Sequence, residues 1–329
     1  EALMTARVDG FRAPLEIGQF QGGMSNPTFM LTDGAGARYV LRKKPPGTLL
    51  PSAHAIDREF RAISAMREVG IPVARPILLC EDDAVIGQAF YIMGFADGRV
   101  FRDLRLPGMA GGERAAVYDA MNDTLARLHA VDFRAAGLEG FGREGGYVAR
   151  QIKRWSEQYV ASKTDDLATM DRLMAWLPAN LPARDETTVV HGDFRLENMI
   201  FHPTEARVLA IVDWELATLG DPLSDLAYNC LPYHMADPAR GHLLELGEAT
   251  AGIPTQEQYL AAYAARTGRA PGHDWTFYLV LSLFRLAAIV QGVYARALKG
   301  NAASPKALDR KERCRELAQR ACQLLDQAG

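Results

Sequence analysis

Residues 189–201 read VVHGDFRLENMIF. Asp193 follows two β-branched residues and a His-Gly pair, and Asn198 stands five positions after it. A later apolar stretch, RVLAIVD (207–213), ends on Asp213. These groups, a carboxylate, a carboxamide and a second carboxylate, sit at loop and strand ends, where they can converge. They are the oxygen donors that a hard cation such as Mg²⁺ takes. A carboxylate fixed on such a loop can also accept the proton of an attacking hydroxyl. Arg195, two positions after Asp193, is placed to reach a transferring phosphoryl group.

The protein-kinase catalytic loop has the same Asp-to-Asn spacing, and there a later Asp completes the metal site. A nucleotide grip should then lie upstream. Arg42 ends the third predicted strand, and Glu59 falls on the apolar side of a predicted helix, in step with Ile56 and Ile63. A carboxylate there calls for a cationic partner. Arg42, or Lys43 or Lys44 beside it, is expected to pair with Glu59 and hold the α- and β-phosphates.

Those residues need elements to carry them. LEIGQF (15–20), TFMLT (28–32) and RYVLR (38–42) are short, β-rich and separated by glycine-containing turns, which predicts an antiparallel meander. In 52–70, Ile56, Phe60, Ile63 and Met66 keep helical spacing up to Gly70. PILLC (76–80) and AFYIMGF (89–95) add strands, making a sheet of about five with one helix. Helical patterns then cover 112–132, 147–162 and 165–177, a strand–loop–strand island interrupts at 187–213, and nearly all that follows is helical in pattern. The fold class is α+β with two lobes. Residues 1–96 form a nucleotide-binding N-lobe of antiparallel sheet plus helix. Residues 97–329 form a larger, mainly helical C-lobe with the catalytic loop and acceptor pocket.

Composition sets the bounds. The 329 residues are 48% hydrophobic and 23% charged, with a net charge of −3, which describes a globular protein of two lobes and carries no basic footprint for nucleic acid. The apolar run 277–293 contains Arg285 and Gln291 and reads as a buried helix, not a membrane span. Cys80, Cys230, Cys314 and Cys322 lack zinc or CxxC spacing. The N-terminus has no secretory pattern, so a cytoplasmic enzyme is expected.

GGMSNPTF, YVLRKKPPG, DREF, FYIM, HGDFRLENMIF, VDWELATLGDPLSDLA and FRLAAIVQGVYARAL run over nearly the whole chain. In these the chain resembles the aminoglycoside phosphotransferase/choline kinase-like family. Within that family it resembles the kinase-like domain that in animals is fused to acyl-CoA dehydrogenases. The resemblance implies a protein-kinase-like fold and use of ATP and Mg²⁺. It implies Asp193 as catalytic base and Asn198 and Asp213 as metal ligands. Arg42 would stand in place of the usual phosphate-binding lysine, with Glu59 as its helix partner, and Arg195 in place of a catalytic-loop lysine. Met93 would border the adenine, which the backbone of Gly94 and Ala96 would hydrogen-bond. There are departures. The phosphate-covering stretch is QGGMSNPT in place of GxGxxG, with Ser25 and Asn26 as candidate donors, and Gly94 stands where the family often has an acidic residue.

The partners expected are a nucleotide and a small-molecule hydroxyl acceptor, with no nucleic acid and no membrane. Only seven residues separate Asp213 from Asp221, too few for a peptide-docking segment. Residues 222–329 hold 10 Asp and Glu against 12 Lys and Arg, a poor match to a polycationic antibiotic. The resemblance points to a hydroxy acid or hydroxyacyl-CoA. Arg285, with no carboxylate near it in 277–293, is a candidate for gripping the acceptor's acidic group. An aminoglycoside phosphotransferase and a non-catalytic, nucleotide-binding pseudokinase are the alternatives. Around the loop, His191 is expected to brace by hydrogen bonding, Asp225 to act from a helix start, and His129 to pack.

Overall fold

Alternating apolar residues pair β2 (Thr28–Thr32) and β3 (Arg38–Lys43) as antiparallel neighbours, with Thr28 opposite Arg42. The computed structural model describes all residues except 21–25, 46–54, 238–239, 300–307, 309 and 329. By its contacts the chain divides into two units, taken separately below. Unit 1 is Glu1–Val100, Asp132–Phe141 and Glu197–Ala217; unit 2 is Phe101–Val131, Gly142–Leu196 and Thr218–Gly329.

Unit 1 is built on the five-stranded antiparallel sheet that the sequence predicts. With β1 (Glu16–Gln19), β4 (Pro76–Cys80) and β5 (Phe90–Gly94), its order is β1-β2-β3-β5-β4. Strand alternation gives β3 two faces. Tyr39 packs into an apolar cluster with Leu31, Cys80, Phe90 and Ile92, which is joined by Met4 and Val8 of the N-terminal segment that carries helix α1 (Ala2–Arg7). Each buried apolar side chain of this kind contributes about 1.5–3 kcal/mol. Val40 and Arg42 alternate to the other side. There helix α2 (Ile56–Glu68) buries Ile56, Glu59, Ala62, Ile63 and Met66 on one stripe, and Gly70 follows it at φ +78°.

Two later segments join this unit. Strands β7 (Met199–Phe201) and β8 (Val208–Ile211) form a hairpin with Met199 opposite Ile211, and Ile211 bridges in parallel to Val73. Arg99 bridges to Phe201, and a Cβ placed on neighbouring Gly98 would lie 2.1 Å from the Phe201 carbonyl oxygen, so only glycine lets the backbones approach.

Unit 2 is mainly helical, as expected. It holds α4 (Gly111–His129), α5 (Tyr147–Ser162), α6 (Ala168–Ala179), α7 (Pro222–Asn229), α8 (Gln256–Thr267), α9 (Trp275–Leu298) and α10 (Arg310–Ala328). Helix α9 packs against α10, α5 and α7. Among the described residues Gly272–Leu298 is long and apolar enough to cross a membrane, but 78% of its most apolar window is buried. That matches the reading of a buried helix. Cys314 and Cys322 are buried and unbridged on α10. A two-stranded ladder pairs β6 (Thr188–Val190) with β9 (Thr218–Gly220). Strand β9 escapes sequence reading because three residues carry no periodicity. So does the one-turn helix Asp83–Ile86 (α3), which is held by an Asp82 cap and Gly87 in the left-handed region.

Candidate active site

In unit 1 the predicted pair forms, with Arg42 Nε 2.9 Å from Glu59 Oε2. The same guanidinium meets two more carboxylates, Nη2 lying 2.7 Å from Asp213 Oδ1 and 3.3 Å from Glu215 Oε2. Lys43 alternates to the other face, its Nζ 5.8 Å from the Phe29 ring centre. Glu59 also accepts from Asn26 Nδ2 at 2.6 Å and from the Tyr91 hydroxyl at 3.1 Å. Burial raises the Glu59 pKa to about 7; Arg42 opposes the rise and Glu215 adds to it. For Arg42, burial works against the charge, but Glu59, Tyr91 and Asp213 outweigh it and hold the guanidinium more firmly protonated than usual.

Backbone geometry delivers the second and third carboxylates. Asp213 has φ 69° and ψ 56°, a left-handed conformation that only a short polar side chain tolerates readily and that costs on the order of 1 kcal/mol or more. It turns the chain out of β8 into the 3₁₀ turn Trp214–Leu216, and both Asp213 and Glu215 reach Arg42. The Asn198 carbonyl accepts the Val212 N–H at 2.9 Å, so Asn198 and Asp213 share one end of the hairpin. The Asp213 side chain is one-third exposed. Among the described residues no three His, Cys, Asp or Glu are grouped to hold a metal by themselves. Two oxygen donors at one hairpin end nevertheless fit an ion that completes its shell with water and phosphate.

Met93, Gly94 and Ala96 lie at and just beyond the end of β5, all half-buried. The Gly94 N–H is committed to the Arg75 carbonyl at 2.8 Å. Ser25 lies outside the described residues.

In unit 2, the loop after β6 is held at its backbone. Buried Asp225 accepts the His191 N–H at 2.6 Å and the Gly192 N–H at 2.8 Å, where Gly192 takes φ +81°. His191 Nδ1 accepts the Asp193 N–H at 3.2 Å, the bracing expected of it. Burial would raise the Asp225 pKa, but His129, His191 and the Gly192 N–H together hold it below the ordinary carboxylate value. Asp225 comes from α7, which Asp221 caps by accepting the Leu223 N–H at 2.8 Å while taking the Tyr278 hydroxyl at 2.9 Å. Burial lifts the Asp221 pKa to about 6, and Tyr278 and Leu223 oppose the lift.

Arg195 Nη2 stands 3.3 Å from Asp193 Oδ2, and the Tyr228 hydroxyl also hydrogen-bonds the Asp193 side chain. Arg285 Nη2 donates to the Gly192 carbonyl at 2.5 Å, its guanidinium 5.1 Å from the Tyr228 ring and 5.6 Å from the Trp155 ring. Unit 1 therefore assembles Arg42, Glu59, Asn198 and Asp213, and unit 2 assembles Asp193, Arg195 and Arg285. Asn26, Tyr91, Glu215 and Tyr228 are partners that sequence reading did not single out in these roles. The DWE triplet was the one available signal, since a carboxylate two residues after Asp213 was there to be read.

Comparison with known proteins places the chain in a family and a fold. The profile of the phosphotransferase enzyme family APH matches residues 16–276. The chain is 48% identical over 296 residues to mouse acyl-CoA dehydrogenase family member 10, covering 89% of this chain and 28% of that protein. It thus spans well under half the length of this curated relative. A crystal structure from Ralstonia eutropha, of a protein provisionally assigned as an aminoglycoside phosphotransferase, is 46% identical, with a TM-score of 0.90 over 99% of this chain and 97% of that one. Spectinomycin phosphotransferase in complex with ADP and spectinomycin is only 12% identical. Its TM-score of 0.63 over 98% of this chain and 96% of that one shows a shared fold alone.

Proposed function

The chain belongs to the APH phosphotransferase enzyme family, and from that premise we propose that it is an ATP-dependent small-molecule kinase. Its acceptor on this reading is a hydroxyl of a hydroxy acid or hydroxyacyl-CoA. The observation that carries the reading is the gathering of Glu59, Asp213 and Glu215, from two separate stretches of chain, around Arg42 on a third. Three carboxylates against one guanidinium leave surplus negative charge beside a one-third-exposed Asp213. That surplus suits a divalent cation.

Asn198 and Asp213 would hold Mg²⁺. The bound ion would supply charge neutralisation for the phosphates. Arg42, aimed by Glu59, would hold α- and β-phosphate oxygens through its guanidinium fork. Met93 would border the adenine. Because the Gly94 N–H is in use, that segment would offer the base the Gly94 carbonyl and the Ala96 N–H. Asp193 would accept the acceptor's hydroxyl proton as the acceptor oxygen bonds to the γ-phosphorus and the bridging oxygen leaves with ADP. Arg195 would steady the γ-phosphoryl oxygens. Arg285, while bracing Gly192, would offer its remaining nitrogens to an acidic group on the acceptor.

The balance of 10 acidic to 12 basic residues over 222–329 supports an acidic acceptor, as does the acyl-CoA dehydrogenase name of the mouse relative. The assignment of the Ralstonia protein favours a second reading, in which an aminoglycoside is the acceptor. A Mg·ATP turnover screen across hydroxy acids, hydroxyacyl-CoAs and aminoglycosides, run beside Asp193→Asn, tests both. ADP release that depends on a hydroxy acid or its CoA ester, and falls by about a thousandfold in the variant, is the expected result. Turnover of aminoglycosides alone would reject the acceptor class. ATP binding with no turnover of any of these acceptors would favour a pseudokinase.

A further inference from the structure

Behind Asp225 runs a chain of buried polar groups that the proposed chemistry does not use. His129, on α4, places Nε2 3.5 Å from Asp225 Oδ2. Its Nδ1 lies 2.7 Å from the hydroxyl of Tyr263, on α8, and the two rings meet edge-on with centres 5.8 Å apart. His129 and Tyr263 are at most 1% exposed, so both are shielded from bulk water.

The imidazole has two neutral tautomers, and the surroundings choose between them. Asp225 accepts two backbone N–H groups and stays ionised. A bare Nε2 lone pair facing that carboxylate would be repelled, so Nε2 carries the proton. Burial keeps the ring from taking a second proton, although Asp225 pulls the other way. Arg269 and Glu186, the other charged groups acting on the ring, are paired with each other at 2.6 Å and offset one another. Nδ1 is therefore an acceptor, and the Tyr263 hydroxyl is its donor.

We infer that Tyr263 is a positioning residue for the loop carrying Asp193. Its hydroxyl locks His129 in the tautomer whose N–H faces Asp225, and Asp225 in turn holds the His191 and Gly192 amides. This rests on the reading of Asp193 as the base. Without the hydroxyl, the other tautomer opens up, and with it a lone pair set against the carboxylate that anchors the loop. Phenylalanine can keep the edge-on ring contact but offers no O–H to Nδ1, so Tyr263→Phe removes the tautomer lock alone.

The test uses the full chain. Imidazole ¹⁵N NMR at pH 7, with His129 assigned through His129→Gln, should show a proton on Nε2 and an unprotonated, hydrogen-bonded Nδ1. A proton on Nδ1 would overturn the inference. In Tyr263→Phe the His191 and Gly192 amides should exchange about tenfold faster, while β3 amides in unit 1 keep their rates. Unchanged exchange at those two amides overturns it too. With the acceptor found in the screen, kcat should fall about threefold with the KM for ATP unchanged, a split that general destabilisation would not produce; an unchanged kcat counts against the positioning role. The two NMR readings need no turnover. Absence of turnover in the unmodified chain would therefore bear on the proposed function and leave this inference to stand or fall on the tautomer.

Discussion

Glu59 and Asp225 are both 2% exposed, yet their pKa values move in opposite directions, the first up to about 7 and the second below the ordinary carboxylate value. Burial pushes both upward, so the partners decide. Asp225 takes two backbone N–H groups whose dipoles are fixed by the loop, with two imidazoles nearby and, among the described residues, no carboxylate set against it. Glu59 takes two neutral side-chain donors, Asn26 and Tyr91, and its one cation is a guanidinium that it shares with Asp213 and Glu215. Preorganised backbone donors stabilise a buried charge at no cost in like-charge repulsion, whereas a shared cation leaves a net negative cluster. The first arrangement suits an anchor that must not change. The second leaves the negative charge on which the proposed cation site rests.

Arg42→Ala tests that contrast most severely. Removing one side chain strips the counterion from three carboxylates, two of them largely buried. We expect a loss of about 3–5 kcal/mol at pH 8 and much weaker ATP binding. The loss should shrink as pH falls towards 6, because Glu59, already raised to about 7, protonates more readily with its cation gone. Denaturant melts at the two pH values check this. A loss below about 1 kcal/mol at pH 8 would mean that the cluster is not held through Arg42.

Asp225→Asn should cost somewhat less, about 2–3 kcal/mol, since one oxygen acceptor remains while an amide NH₂ turns towards a backbone donor. Its cost should not vary between pH 6 and 8, where the wild-type carboxylate is ionised throughout. A pH-dependent cost there would erase the distinction between the two carboxylates.

Linkage gives the next effect. Glu59 has a folded pKa of about 7 against an ordinary value of 4.5. Between those values the native state binds more protons than the unfolded chain, so unfolding free energy rises as pH falls from 7 towards 4.5. Glu59→Gln should flatten that slope. For Asp225 the sign reverses, its contribution being lost only as pH drops below the ordinary carboxylate range.

How far these features could be read in advance follows the same divide. The five strands of unit 1 and the helices of unit 2 were legible, because periodicities of two and 3.6 reflect local geometry. Glu59 stood out as a carboxylate on an apolar helix face, and Arg42, Lys43 and Lys44 as the strand-end cations that could meet it; strand alternation selects Arg42. Asn26, Tyr91 and Glu215 were opaque in their roles, since which side chains share a buried carboxylate is set by strand register and by one left-handed residue, Asp213. Arg285 looked unpartnered because carboxylates were sought, while its partners are a carbonyl and two rings. Backbone acceptors and aromatic faces leave no residue-type trace in a sequence.

A smaller effect tests whether the Asp193 loop is held by many partners at once. Besides Asp225, the loop is gripped by Arg285 at the Gly192 carbonyl, by Asn229 Nδ2 at the Phe194 carbonyl (3.4 Å), and by the Tyr228 hydroxyl at Asp193 itself. With restraint spread this widely, no single side chain should be decisive. Tyr228→Phe deletes one oxygen and keeps the ring beneath Arg285. If Asp193 is the base as proposed, one lost hydrogen bond of about 1 kcal/mol to it corresponds to a kcat reduced about fivefold, with the KM for ATP unchanged because Arg42 and Asp213 are untouched. A hundredfold loss would show that Tyr228 acts directly on the reacting groups. The loop would then depend on one residue as heavily as the Glu59 cluster depends on Arg42.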